Sequence, residues 1–98
     1  MEARQAHQEL LKICDAKIVW AERVTSNGKQ HWNIGWFLED GSRSNNRIHL
    51  HSAGDHHVNL SEAFGDWYAE GNHKTTTLHP DMPDQLREFV IRLRGGEV

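Results

Sequence analysis

A chain of 98 residues with 37% apolar and 26% charged content has the composition of one soluble globular domain, able to bury a single modest core. Eleven Lys and Arg against fourteen Asp and Glu give a net charge of −3, which argues against a nucleic-acid binder held by phosphate neutralisation. The longest unbroken apolar run, Ile18-Val19-Trp20-Ala21, is far short of a membrane span.

Residues 2–15 predict an amphipathic helix. Ala3, Ala6, Leu10, Ile13 and Cys14 recur at helical spacing on one stripe, while Glu2, Gln5, Gln8, Glu9 and Lys12 face out. Cys14 lies on the apolar stripe and reads as a core filler rather than a nucleophile. As the one cysteine it excludes an internal disulfide and fits a reducing compartment. The opening Met1-Glu2-Ala3-Arg4-Gln5 lacks the basic-then-apolar layout of a secretory leader, so a cytoplasmic location is expected.

From Lys17 the period changes to two. Ile18, Trp20 and Val24 alternate with Val19, Ala21 and Arg23, and a second run sets Trp32, Ile34, Trp36 and Leu38 on one face. A two-residue Asn27-Gly28 turn would pair Trp20 with Gly35 and put the two apolar sets on opposite faces. A three-residue loop, Ser26-Asn27-Gly28, pairs Trp20 with Ile34 and Ile18 with Trp36 and restores a common face. The three-residue loop is therefore expected, with Glu22 as the pattern's one poor fit. Asp40 to Asn46 is a polar turn, and Arg47–His51 makes a third strand, with Leu38 opposite Ile48.

Asn59-Leu60-Ser61-Glu62 supplies a cap acceptor and an acidic residue three positions on, so a helix should run from there through Phe64, Trp67 and Tyr68 to Gly71. Lys74–His79 offers a short edge strand or an extended link. Asp81-Met82-Pro83-Asp84 opens a last helix with Leu86, Phe89, Val90 and Leu93 as its buried stripe, ended by Gly95-Gly96. The expected fold is thus α+β: an N-terminal helix, a three-stranded antiparallel meander, then one or two helices with room for a short fourth strand, all in one domain over residues 1–98. The expected core is Trp20, Ile34, Trp36, Leu50, Phe64, Trp67, Leu86, Phe89 and Leu93.

Eight histidines are unusually many for this length, and His49, His51, His56 and His57 fall within one stretch around Asp55. Full protonation would carry the formal charge from −3 to +5, so mild acid should invert the surface electrostatics. If Ile48 and Leu50 point to the core, then Arg23, His31, Asn33, Phe37, His49 and His51 share the opposite face, which becomes the expected partner-binding surface. Strand positions i and i+2 are about 7 Å apart, close enough for two imidazoles to share a metal. His49, His51, Asp55, His56 and His57 are accordingly the candidate ligands should a metal, zinc above all, be bound; otherwise no cofactor is expected. In the expected register His31 lies near Asp55, away from His51.

The His49-x-His51 pair resembles the metal motif of cupins, and His49-x-His51-x-x-x-Asp55-His56 resembles the His-x-His-x-Asp-His motif of metallo-β-lactamase-type hydrolases. The hydrolase motif has one residue where this chain has three, and a cupin barrel needs many more strands, so neither activity is carried over. Arg92-Leu93-Arg94-Gly95-Gly96 resembles the tail of ubiquitin, but this chain begins and ends in a helix. The helix–three strands–helix order resembles a double-stranded-RNA-binding domain. At the start of its second helix that fold presents lysines, whereas this chain has Asn59-Leu60-Ser61-Glu62.

No nucleophile–base pair, phosphate loop or informative carboxylate spacing stands out, so an enzyme is not expected. Small size, mild acidity and four tryptophans point instead to a non-enzymatic module that occludes a partner protein's surface. In type, this composition is similar to small accessory proteins of phages and mobile elements, including inhibitors of host defence such as anti-CRISPR proteins. The alternatives are a metal-dependent enzyme or metal-binding protein using the His49–His57 cluster, and a nucleic-acid-binding regulator using Arg23, Arg43, Arg47 and Lys74. No membrane partner is expected.

Overall fold

The computed structural model describes residues 1–54 and 56–95. In chain order it contains helix α1 (Ala3–Asp15), strands β1 (Val19–Ser26), β2 (Lys29–Trp36) and β3 (Ile48–Leu50), helix α2 (Leu60–Ala69), a 3-10 turn at Asn72–Thr75 and helix α3 (Asp84–Leu93). The sheet is an antiparallel meander in the order β1-β2-β3, so the fold is α+β.

The local chemistry explains each boundary. α1 stops on a Schellman motif, in which Lys17 N–H donates to the Cys14 carbonyl and Ile18 N–H to the Ile13 carbonyl, both at 3.0 Å. That motif needs a left-handed residue, and Lys17 supplies it at φ 59° despite its Cβ. At the start of α2 the Asn59 side chain accepts the Glu62 N–H at 2.8 Å, as the sequence indicates. α3 begins after Pro83, and Gly95 follows its end at φ +83°. Gly96 lies outside the described residues. Lys74–His79 forms no strand: the 3-10 turn consumes its beginning, and residues 76–79 join no ladder.

The hairpin register differs from the sequence expectation. Ser26 pairs with Lys29, leaving a two-residue turn in which Asn27 (φ 53°) and Gly28 (φ 75°) both take the positive φ that a type I′ turn requires. Val19 therefore lies opposite Trp36, Ala21 opposite Ile34 and Trp20 opposite Gly35. Ile48 faces Ile34 rather than Leu38, and Leu50 faces Trp32. One sheet face thus carries Val19, Ala21, Ile34, Trp36, Ile48 and Leu50. Against it pack Ala6 and Leu10 of α1, Phe64 and Trp67 of α2, and Leu86, Phe89, Val90 and Leu93 of α3. Trp36 is fully buried there.

Trp20 is buried too, but on the other face and outside this cluster. A Cβ placed on Gly35 would come within 2.0 Å of the Trp20 ring, so the indole lies flat on the glycine backbone. Glu22, the poor fit of the three-residue loop, faces Asn33 on the same open side and is exposed. The expected core is correct in its other members.

Two substitutions test this account. Gly35→Ala should cost about 3 kcal/mol or more in the native chain through overpacking, yet be close to neutral in a Trp20→Ala background. Equal costs in both backgrounds, measured by urea unfolding, would show that the indole does not occupy that position. Lys17→Gly should stabilise the fold by roughly 0.5–1 kcal/mol, because glycine adopts the left-handed cap without its Cβ penalty.

Candidate binding face

The helices leave the second face of the sheet to side chains and to the loop of residues 37–47. By register this face holds Trp20, Glu22 and Val24 of β1, His31, Asn33 and Gly35 of β2, and His49 of β3.

At one end Trp20 spans Gly35 and its indole N–H donates to the Trp36 carbonyl at 3.3 Å. Two guanidinium groups cover the ring, Arg43 at 4.7 Å and Arg47 at 5.3 Å from its centre. Such contacts contribute about 0.5–2 kcal/mol each, depending on desolvation. Buried Ser44 sets the path of the loop that delivers them. Its N–H donates to the Trp36 carbonyl (2.9 Å), while its hydroxyl accepts the Trp36 N–H (3.1 Å) and donates to the Asn46 carbonyl (2.8 Å). Among the described residues, neither Arg43 nor Arg47 has a carboxylate within 4.0 Å. Their outward N–H groups are available to a partner.

At the other end the imidazoles gather. The rings of His31 and His49 lie 6.5 Å apart, and His49 Nδ1–H donates to Oδ1 of the buried Asn33 at 2.7 Å. Partial burial, then the nearby charges of His31, His51 and Arg47, hold the His49 pKa below its ordinary value. His31 and His51 border one shallow groove with Ser26, Asn27 and Lys29. This corrects the expected separation of His31 from His51, because pairing Trp32 with Leu50 brings position 31 level with 51 rather than 55.

Of the expected partner-binding residues, His31, Asn33, His49 and His51 are therefore together. Arg23 is not with them: it lies opposite Trp32, whose neighbours Ile34 and Trp36 belong to the core side, and its own position is exposed. Phe37 sits beyond the end of β2, half-buried and bridged to Arg43, beside a cleft it shares with Leu38, Pro80 and Met82. The expected metal set is also divided. His49 and His51 stay on or beside the sheet face, and exposed His56 bridges to Gln30. His57 is buried against α2, with only 1% of its side chain accessible. Asp55 lies outside the described residues.

Sequence reasoning did not bring Trp20, Arg43 and Arg47 into one site. The available signal was Gly35, which sits directly across from Trp20 once the Asn27-Gly28 turn is given two residues. It also missed Glu62 and Asp66, whose spacing of four places both carboxylates on one side of α2. Cys14 behaves as expected: burial, with the Asp15 charge adding to it, raises its thiol pKa and leaves it a poor nucleophile. The chain has no match among the protein families, curated proteins or solved structures compared with it. Its functional reading therefore rests on the site alone.

The lowered His49 pKa makes stability depend on pH. The unfolded chain takes up the proton at about 6.5 while the folded chain resists it, so stability is fully present above that pH and falls as pH drops through the range beneath it. His73 acts in the same direction, its pKa lowered by burial and then by Lys74. In urea unfolding between about pH 7.5 and 5, His49→Gln should therefore lose less stability on acidification than the native chain. Equal losses would exclude His49 as a source.

Proposed function

We propose that this chain is a non-enzymatic binding protein whose open sheet face docks on an acidic surface of another protein. The carrying observation is the pair Arg43 and Arg47, stacked on Trp20 without a carboxylate partner among the described residues. Stacking on an indole limits the freedom of a guanidinium, so less entropy is lost when its planar fork grips a carboxylate. Trp and Arg are also the residue types that dominate binding hot spots.

His31, His49 and His51 extend the surface, and their protonation would add positive charge to it. The chain as a whole is acidic at −3, so this face is a local reversal of sign suited to steering one patch toward an acidic partner. Its donors are spread over a surface, an arrangement that serves occlusion better than chemistry. Occlusion is how a small inhibitor or regulator acts, including accessory proteins of the phage and mobile-element type. No helix among the described residues is long and apolar enough to cross a membrane.

Separate NMR titrations with a polyglutamate peptide and with a duplex DNA oligonucleotide test the proposal. Polyglutamate should shift the Trp20 indole N–H and the His49 ring signals, with affinity falling at least about tenfold in Arg43→Glu/Arg47→Glu and with added salt. Tighter binding of the duplex through the same residues would replace the protein partner with a nucleic acid. If neither probe moves these signals, the face is not an anion-recognising surface.

A further inference from the structure

Beside α2, the loop leading into that helix buries a histidine against two exposed carboxylates. His57 has only 1% of its side chain accessible, yet its Nδ1 has no hydrogen-bond partner. That nitrogen lies 3.6 Å from Glu62 Oε1, and Nε2 lies 3.6 Å from Asp66 Oδ2. Glu62 and Asp66 are one turn apart on α2, about half exposed, and one atom from each of the three residues falls within 4.8 Å of the others.

We propose that His57, Glu62 and Asp66 form a site for a divalent transition-metal ion of the zinc class. The decisive feature is the division of labour on the imidazole ring. Ser52 Oγ lies 2.9 Å from Nε2, so that nitrogen has a hydrogen-bond partner within the fold, while the unpartnered Nδ1 lies beside Glu62. A metal-binding histidine characteristically uses its other nitrogen in this way. Without an ion, a fully buried Nδ1 loses hydration and gains no hydrogen bond. A bound cation would satisfy it and draw the two carboxylates together.

Ligand chemistry selects the class of ion. An imidazole nitrogen with two carboxylate oxygens suits zinc and its first-row neighbours, whereas calcium and magnesium favour all-oxygen sites. Three protein ligands leave a fourth tetrahedral position for water. The surrounding backbone is already anchored. His57 N–H donates to the Gln30 carbonyl at 3.3 Å, and both oxygens of Glu70 accept the Ala53 N–H at 3.2 Å. The ion would close this loop onto α2, a role separate from the sheet face and independent of its partner.

Calorimetry with zinc chloride, read together with the NMR signals of the His57 ring, tests the site. A single zinc equivalent should bind, move the His57 ring signals before those of His49 and raise the melting temperature, with magnesium ineffective at equal concentration. Glu62→Gln and Asp66→Asn alter half-exposed groups and should leave the fold intact while weakening zinc at least about tenfold each. His49→Ala/His51→Ala should bind zinc as the native chain does. The proposal is overturned if zinc does not bind, if it binds undiminished in both carboxylate variants, or if it is lost with His49 and His51. In the first case His57 is a buried imidazole held by Ser52 and the neighbouring acids.

Discussion

Trp20 resting on Gly35 is the contact on which the arrangement of the sheet depends. The two-residue turn at Asn27-Gly28 places these residues opposite each other, and the absence of a side chain at 35 lets the indole lie across the neighbouring strand. Once it does, Val19 and Ala21 are committed to the helix side with Ile34 and Trp36, and Glu22 is committed to solvent. A slip of one residue would set the indole against a side chain and reverse every β1 residue between core and surface. The same contact gives Arg43 and Arg47 a flat aromatic surface to stack on, so hairpin geometry and the charge of the open face have a common origin.

Much of the architecture was legible because apolar stripes are periodic. The three helices, the existence of three strands and most of the core follow from spacing, and the Asn59 cap follows from residue chemistry. The hairpin register was misread for a physical reason. Gathering all large apolar residues on one face assumes that an indole can be buried only by other apolar side chains. Trp20 is instead buried by glycine backbone, a carbonyl and two guanidinium groups. Glu22 was the visible sign of the error, since the favoured register put a carboxylate on the core side. The histidines were harder still, because their grouping depends on the β2–β3 register and on a loop path that nearest neighbours in sequence do not specify. His57 follows a pattern of alternating and paired histidines, yet turns inward to α2.

Histidine abundance also has a packing component. His73 stacks on Tyr68 with ring centres 3.9 Å apart and planes 4° from parallel, and it lies near Trp67. His7 leans on Phe64, and His79 on Trp36. In these places imidazole serves as a small flat ring that fills space between larger aromatics. One residue type therefore occupies three settings in this fold: between larger aromatics, on the open sheet face and buried against α2.

The strand order has one more consequence. With β2 in the middle, the eight-residue β1 is an outer strand, and its unpaired backbone groups could template pairing with another chain. Glu22 and Arg23 lie halfway along it and point to opposite sides, so each side of an added strand would meet a charge. The carboxylate that disturbs the hydrophobic alternation thereby protects the protein against edge-to-edge aggregation.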